Sequence, residues 1–367
     1  MIKEIKIPET NKTIGGDSVF IVAEIGKNFI QTEDDREIDE YLDNAKRLID
    51  EAALAGVDAV KFQTHELEDE WHPSVNIPFP HFTLKDRLSW IKRNTEATPL
   101  EFWRELAEYA KKKDLVFFST PMSRKAAEKI EKLVPIWKLA SGDVTDYLLI
   151  DYMIETGKPI IISSGQTSLS ELHNLINYIE SHGSKLAVLY CVSIYPAPPD
   201  AFNIGTIDYL KEKYPHLPIG FSDHSIESNE PAMASVKAGA KIIEKHFSLS
   251  RNLWGADHKV SLTPSEMKEL VFQVRSGLFD KVKDKYYGEK DKELDGADTE
   301  LRKYFGKVLV ASKDLPKGTK VTKEMFYAMR PALHLDGVSA KNLNEVLGRP
   351  LKRDLSRLQV FKWEYIK

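Results

Sequence analysis

The chain has 367 residues, 42% of them hydrophobic, with 52 Lys and Arg against 56 Asp and Glu, a formal net charge of −4. That balance gives no case for a nucleic-acid partner or a basic membrane-binding patch, and the apolar content is ample for a packed core. A single cysteine, Cys191, excludes an intrachain disulfide. With no signal-peptide core in MIKEIKIPET and no apolar stretch near the ~18–20 residues of a membrane helix, the expectation is a cytoplasmic protein of a reducing compartment.

Eight short runs rich in β-branched and aromatic residues follow in order: VFIVAEIGKN (19–28), AVKFQT (59–64), VFFSTP (116–121), IWKLASGD (136–143), PIIISSGQ (159–166), LAVLYCVS (186–193), PIGFSDH (218–224) and KIIEKHF (241–247). Between them lie stretches of helical period. Residues 35–55 carry Ile38, Tyr41, Leu42, Ala45, Leu48, Ile49 and Ala52 on one stripe. Residues 99–113 open with Pro99, 168–182 run from a Ser to Gly183, and 264–280 follow Thr263 with Pro-Ser-Glu; each pattern predicts a capped helix. Strand alternating with helix argues for a parallel sheet, and eight units over about 250 residues predict a (β/α)8 TIM barrel. One connection, 65–98, is long and rich in proline and aromatics, the expected substrate loop or lid. Residues 283–304 (KDKYYGEKDKELDGADTELRKY) read as a solvated, charged linker. From 305 to the end, short strand fragments around Pro316-Lys317-Gly318 predict a small β-rich domain, marginal in size by itself. The expected division is a barrel over 1–282, the linker, and a second domain over 305–367.

In such a barrel the chemistry sits where strands end. His224 and His246 end neighbouring strands, about 5 Å apart in a sheet, so the two imidazoles are candidate ligands of one first-row divalent ion, with Asp257 in the following loop. The alternative is that each histidine fills the barrel mouth with a hydrogen bond. Lys61 and Lys138 are flanked by apolar residues, and strand alternation turns each away from its neighbours. A lysine in the helix layer would be a costly buried cation, so both are expected in the lumen, facing an anionic ligand or an internal carboxylate such as Glu24. The hydroxyls of Thr120, Ser141, Ser163, Ser164 and Ser222 crowd the same rim, as anion ligands or as caps of the following helices. Glu24, Gln63, Asp143 and Tyr195 complete a polar ring suited to a polyol, Glu24 as an acid or base or as a salt-bridge partner of a rim lysine. Together these groups suit joining a phosphorylated small acid to an aldehyde with metal assistance.

These residues carry a resemblance. Ala23-Glu24-Ile25-Gly26, Val60-Lys61-Phe62-Gln63-Thr64, Ser119-Thr120-Pro121, Lys138-Leu139-Ala140-Ser141-Gly142, Ser163-Ser164-Gly165, Ile194-Tyr195-Pro196, Gly220-Phe221-Ser222-Asp223-His224, Glu244-Lys245-His246-Phe247 and Gly255-Ala256-Asp257-His258-Lys259 resemble the sialic acid synthase family over nearly the whole chain. The C-terminal piece, with Met329-Arg330-Pro331, looks like that family's antifreeze-like (SAF, β-clip) domain. The resemblance implies condensation of phosphoenolpyruvate with an N-acylated amino sugar to a nonulosonic acid and phosphate, by C–O cleavage. It implies a metal, usually Mn2+ with Mg2+ or Co2+ as alternatives, on His224 and His246. Glu24, Lys61, Lys138 and Asp257 are the implied catalytic groups. Gln63, Thr120, Ser141, Asp143, Ser163, Ser193, Tyr195, Ser222 and Arg330 are the implied substrate ligands, Arg330 reaching a partner's barrel in a domain-swapped homodimer. Three positions depart from the family pattern: Phe29 replaces a usual His, Ser193 a usual Asn, and Arg330-Pro331-Ala332-Leu333-His334-Leu335 a usual Gly-rich turn. These predict an altered sugar in place of N-acetylmannosamine. The rival readings are a Schiff-base pyruvate aldolase using Lys61 or Lys138, another phosphoenolpyruvate-dependent ulosonic acid synthase, and a non-catalytic binding protein on the same fold.

Overall fold

The computed structural model describes residues 2–78, 86–192, 201–290 and 300–366. Two short antiparallel strands, β1 (Ile5–Lys6) and β2 (Thr13–Ile14), come first. They are tied to the side where the barrel strands begin by the Lys3 N–H donating to the His216 carbonyl, 2.9 Å away. Then β3 (Phe20–Gly26), α1 (Ile38–Ala55), β4 (Ala59–Thr64), α2 (Leu67–Glu70), α3 (Arg87–Ala97), α4 (Leu100–Lys112), β5 (Val116–Pro121), α5 (Arg124–Ile130), β6 (Trp137–Leu139) and α6 (Tyr147–Glu155) follow. The barrel is completed by β7 (Ile160–Ser163), α7 (Leu169–Ser181), β8 (Leu186–Cys191), α8 (Gly205–Lys213), β9 (Ile219–Asp223), α9 (Glu230–Lys237), β10 (Ile242–His246) and α10 (Pro264–Arg275).

Each of the eight apolar runs contains one strand of a parallel sheet ordered β5-β4-β3-β10-β9-β8-β7-β6. Its two ends, β5 and β6, lie in contact, so the sheet comes round into a nearly closed TIM-like barrel. The strands are buried on both faces, as a barrel wrapped in helices requires. Gly220 on β9 shows how tightly the interior is filled: a Cβ there would lie 2.6 Å from Leu189 Cδ2 and from Ile242 Cβ. The helices sit where their apolar stripes demand. Tyr41, Leu42, Ala45, Leu48, Ile49 and Ala52 are the buried face of α1, and Ser168 with Glu171, and Thr263 with Glu266, form capping boxes on α7 and α10. Pro99 is the residue before the first turn of α4. No helix among the described residues is long and apolar enough to cross a membrane.

After α10 the charged stretch is exposed at 283–285 and 288–289 but is anchored to the barrel at Tyr286. Tyr286 is buried, its ring edge-on to Phe202 at 5.8 Å and its hydroxyl donating to Glu230 at 3.0 Å. Its carbonyl accepts from Ile204 N–H at 2.9 Å. Tyr286 and, through its hydroxyl on Asp208 at 2.7 Å, Tyr287 find apolar and carboxylate partners on the barrel, which a charge count does not reveal. Residues 291–299 lie outside the described residues. The last segment begins at α11 (Glu300–Phe305) and pairs β11 (Val308–Ala311) antiparallel with β12 (Phe326–Met329), with α12 (Leu343–Val346) packed in the same small core of Leu309, Phe326, Leu343, Val346 and Phe361.

The long connection is a platform for this C-terminal unit. Trp71, Val75 and Ile91 from the connection share one apolar cluster with Val308, Val310, Tyr327 and Met329. The backbones pair as well: Arg330 N–H donates to the Glu70 carbonyl at 2.9 Å, and His72 N–H donates to the Arg330 carbonyl at 3.0 Å. The expected lid therefore holds a neighbouring domain over the barrel, and burial of Trp71, Val75 and Ile91 against that domain is the reason. Residues 79–85 of the connection lie outside the described residues.

Candidate functional site

A cavity of about 520 Å³ opens where the barrel strands end. Glu24, Lys61, Gln63, Thr120, Lys138, Ser141, Asp143, Ser163, Ser222, His224, His246, Asp257 and Arg330 all border it. Ser193 and Tyr195 lie outside the described residues. Ser164 turns away, its hydroxyl donating to the Leu189 carbonyl at 3.2 Å.

Two ammonium groups and two carboxylates make the floor. Lys61 Nζ lies 2.9 Å from Glu24 Oε2 and 3.3 Å from Glu244 Oε1, and donates to Thr120 Oγ1 at 3.1 Å. Lys138 Nζ donates to Ser163 Oγ at 2.6 Å and lies 3.8 Å from the same Glu244 oxygen, which also accepts from Ser222 Oγ at 3.2 Å. Thr120 is thus a lysine partner, and the cap of α5 is Ser123. Parallel pairing sets Lys61 beside Glu24, and Glu244 beside Ser222. Burial would raise Glu244, but Lys138 and Lys61 outweigh it and hold its carboxyl down at about 2. Burial lifts the Glu24 carboxyl above its ordinary value, Lys61 opposing and Glu244 adding. Burial alone would lower Lys61; Glu24 and Glu244 together hold it above its ordinary value. Lys138 is lowered, chiefly by burial. Of the two carboxyls, Glu24 is the one whose burial favours the protonated form.

The paired imidazoles stand beside this floor, ring centroids 5.5 Å apart. His224 Nδ1 donates to the Val192 carbonyl at 2.9 Å, which sets its tautomer and leaves Nε2 as the basic nitrogen. His246 Nδ1 is buried without a hydrogen-bond partner, and burial pushes this imidazole down to about 4. His246 is therefore neutral near pH 7, and each ring offers a nitrogen suited to a divalent ion. Among the described residues no cluster of three or more His, Cys, Asp or Glu is gathered as for an all-protein metal cage. The donor set fits an ion held by two nitrogens and completed by water or substrate oxygens. Asp257 Oδ2 lies 3.4 Å from Lys27 Nζ, and Lys27 also donates to Gln63, whose amide donates to Glu24 Oε1 at 2.8 Å.

The rim is built from both domains. Asp143, completely buried, is ion-paired with Arg330 and with Lys307 Nζ at 2.8 Å. Lys307 also meets Asp146 Oδ2 at 2.7 Å and the Met122 carbonyl at 2.7 Å. Phe305 lies between the Arg330 and Arg87 guanidinium groups, 5.4 and 5.9 Å from its ring centroid. Arg330 enters the barrel mouth of its own chain, where the expectation placed it in a partner's; its backbone pairing to Glu70 and His72 puts it there. Phe29 is not at the site. It is fully buried in an aromatic cluster with Tyr41, Phe62, Phe102 and Trp103, so its departure from the family pattern belongs to the helix layer.

Residues 48–280 match the NeuB family and residues 306–367 the SAF domain. The chain belongs to the NeuB family. It is 32% identical to human N-acetylneuraminate-9-phosphate synthase, over 83% of this chain and 81% of that one. It is also 32% identical to pseudaminic acid synthase of Helicobacter pylori, over 91% of this chain and 94% of the relative. Its structure superposes on the crystal structure of the spore coat polysaccharide biosynthesis protein SpsE of Bacillus subtilis with a TM-score of 0.79 and 30% identity, covering 99% of each chain.

This NeuB-family site also contains groups that sequence reasoning did not assign. Glu244 was legible: it lies two residues before His246, so strand alternation turns both inward. Lys27 follows β3 directly, and the register shift at Gly26, with φ +56°, breaks the strand alternation and brings Lys27 into the cavity, where alternation from Glu24 would have turned it outward. Arg87, Phe305 and Lys307 carry no such signal, because they reach the mouth from the long connection and the C-terminal unit.

Proposed function

We propose that the protein is a nonulosonic acid synthase that condenses phosphoenolpyruvate with the open-chain aldehyde of an N-acylated amino sugar. The supporting observation is that Lys61 and Lys138, with Thr120, Ser163 and Ser222, meet in the same cavity as the two imidazoles. The names of the relatives, synthases of sialic and pseudaminic acids, support the sugar class.

In this reading the lysines and hydroxyls bind the phosphate and carboxylate, which take over from Glu244 as counter-charge. C3 of phosphoenolpyruvate forms the new bond to the aldehyde carbon, and a proton must reach the aldehyde oxygen. Glu24, lifted by burial and linked to Gln63 at 2.8 Å, holds that proton. Water then adds to C2, its lost proton passing to a carboxylate, Asp257 or Glu24. The tetrahedral intermediate collapses as the C2–O bond to phosphate breaks and the C2 hydroxyl gives its remaining proton to the departing phosphate, so phosphate keeps the bridging oxygen and the new keto oxygen comes from water. A divalent ion on His224 and His246, Mn2+ first and Mg2+ or Co2+ as alternatives, would supply Lewis acidity toward the aldehyde oxygen. Asp143 and Arg330 orient the acylamino end of the sugar. Phe29 no longer argues for an altered sugar; what remains of that expectation rests on Ser193 and the 330–335 loop. A cytoplasmic homodimer is part of the same reading, exchange of C-terminal units making the Lys307 and Arg330 contacts between copies.

Mass spectrometry of the product from phosphoenolpyruvate, Mn2+ and a panel of N-acylated hexosamines tests the proposal, with bridging-18O label expected in phosphate. Activity with pyruvate and borohydride trapping on Lys61 or Lys138 would overturn it in favour of the aldolase.

A further inference from the structure

On the opposite side of the strands from the cavity, Lys245 is fully buried and makes three contacts. Its Nζ donates to Asp223 Oδ2 at 2.9 Å, to the Ser225 carbonyl at 2.6 Å and to Ser225 Oγ at 3.0 Å. Asp223 in turn accepts from the Ser225 amide at 2.8 Å and from its hydroxyl at 3.0 Å. Both charged side chains have no exposed area, and nothing in the proposed reaction uses them. A buried pair of this kind rarely adds stability over apolar residues of the same shape, but it holds geometry.

What it holds is set by sequence adjacency. Asp223 and Ser225 bracket His224, and Lys245 precedes His246. In the β9–β10 register Lys245 pairs with Asp223, so the two imidazoles project from residues next to a single cross-strand tie. Strand β9 ends at Asp223, and the three bonds of Lys245 carry the cross-strand tie on to Ser225, past His224.

We propose that Lys245, Asp223 and Ser225 form a positioning clamp that sets the separation and angle of the His224 and His246 rings and thereby the affinity and geometry of the ion they share. This rests on the metal reading given above. Lys245 and Asp223 are positioning residues, with no contact to substrate.

The test uses the full chain with Co2+ as the metal alone. The single variant Lys245→Met leaves a buried carboxylate unpaired and is liable to unfold. Asp223→Asn and the double variant Lys245→Met with Asp223→Leu avoid that in different ways. Circular dichroism establishes that a variant is folded. The expected result is a folded double variant that binds Co2+ at least tenfold more weakly, with an altered visible absorption band, and Asp223→Asn between it and the wild type. A folded double variant with wild-type affinity and an unchanged band would overturn the clamp. If the wild type binds no Co2+, or if His224→Ala and His246→Ala bind it as the wild type does, the metal reading falls and the clamp with it.

Discussion

Asp143 of the barrel and Arg330 of the C-terminal unit, 187 positions apart in the chain, form an ion pair that water does not reach. Lys307 bonds the same carboxylate, so one aspartate at the cavity rim carries the electrostatic contact between the two parts of the molecule.

Arg330→Ala removes one partner from a buried charge cluster, which costs about 3–5 kcal/mol when a charge is left uncompensated; the remaining Lys307 contact places the expected loss at the lower end. Thermal unfolding should show the destabilisation. Steady-state kinetics should show KM for the sugar rising at least tenfold, with KM for phosphoenolpyruvate moving little. Equal effects on both substrates would contradict the assignment of Arg330 to the sugar end.

Gly142 lies directly under the end of α11. A Cβ at this position would be 2.7 Å from Phe305 Cβ, too close to be absorbed by a side-chain rotation. Gly142→Ala is expected to push Phe305 off the barrel mouth and loosen the C-terminal unit. Limited proteolysis within 283–304 should accelerate several-fold while the barrel core stays protected.

Lys61→Met and Lys138→Met each remove a cation from the floor and leave Glu244 with a single ammonium partner. Loss of a preorganised charged donor costs on the order of 10²–10³ in kcat. Single-turnover assays should show this loss in both variants, whereas an unchanged rate in either would remove that lysine from the anion cradle.

Three buried histidines, His65, His246 and His258, are depressed by burial, His246 to about 4. The unfolded chain, with histidine near 6.5, binds more protons than the folded one between the two values. Stability is therefore full above about pH 6.5 and falls as pH drops toward 4, by as much as about 3 kcal/mol for His246 alone. Urea unfolding of the metal-free protein across pH 8 to 4 should trace this slope, and His246→Asn should flatten it.

Phe29→His restores the residue the family usually shows, but inside an apolar aromatic cluster. Burying an imidazole without a partner there should cost about 2–3 kcal/mol, read as a lower urea midpoint. Sugar preference should be unchanged; a switch toward N-acetylmannosamine would place Phe29 in contact with substrate after all.

The barrel was legible because its signals are local. Eight β-branched runs with helical stretches between them admit one architecture, and strand alternation alone turns Lys61, Lys138, Ser222, His224 and His246 into a common lumen. The same rule applied to Glu244 would have shown the counter-charge shared by both lysines. Beyond the strand ends local rules lose their hold. The sequence could not tell that the 65–98 connection packs on the C-terminal unit, that Tyr286 docks the charged stretch on the barrel, or that Phe29 faces the helices. Nor could it bring Lys307 and Arg330 to Asp143. Those outcomes depend on which apolar surfaces and buried charges find one another across long stretches of chain, and only the assembled tertiary structure, where desolvation forces each charge to a partner, decides them.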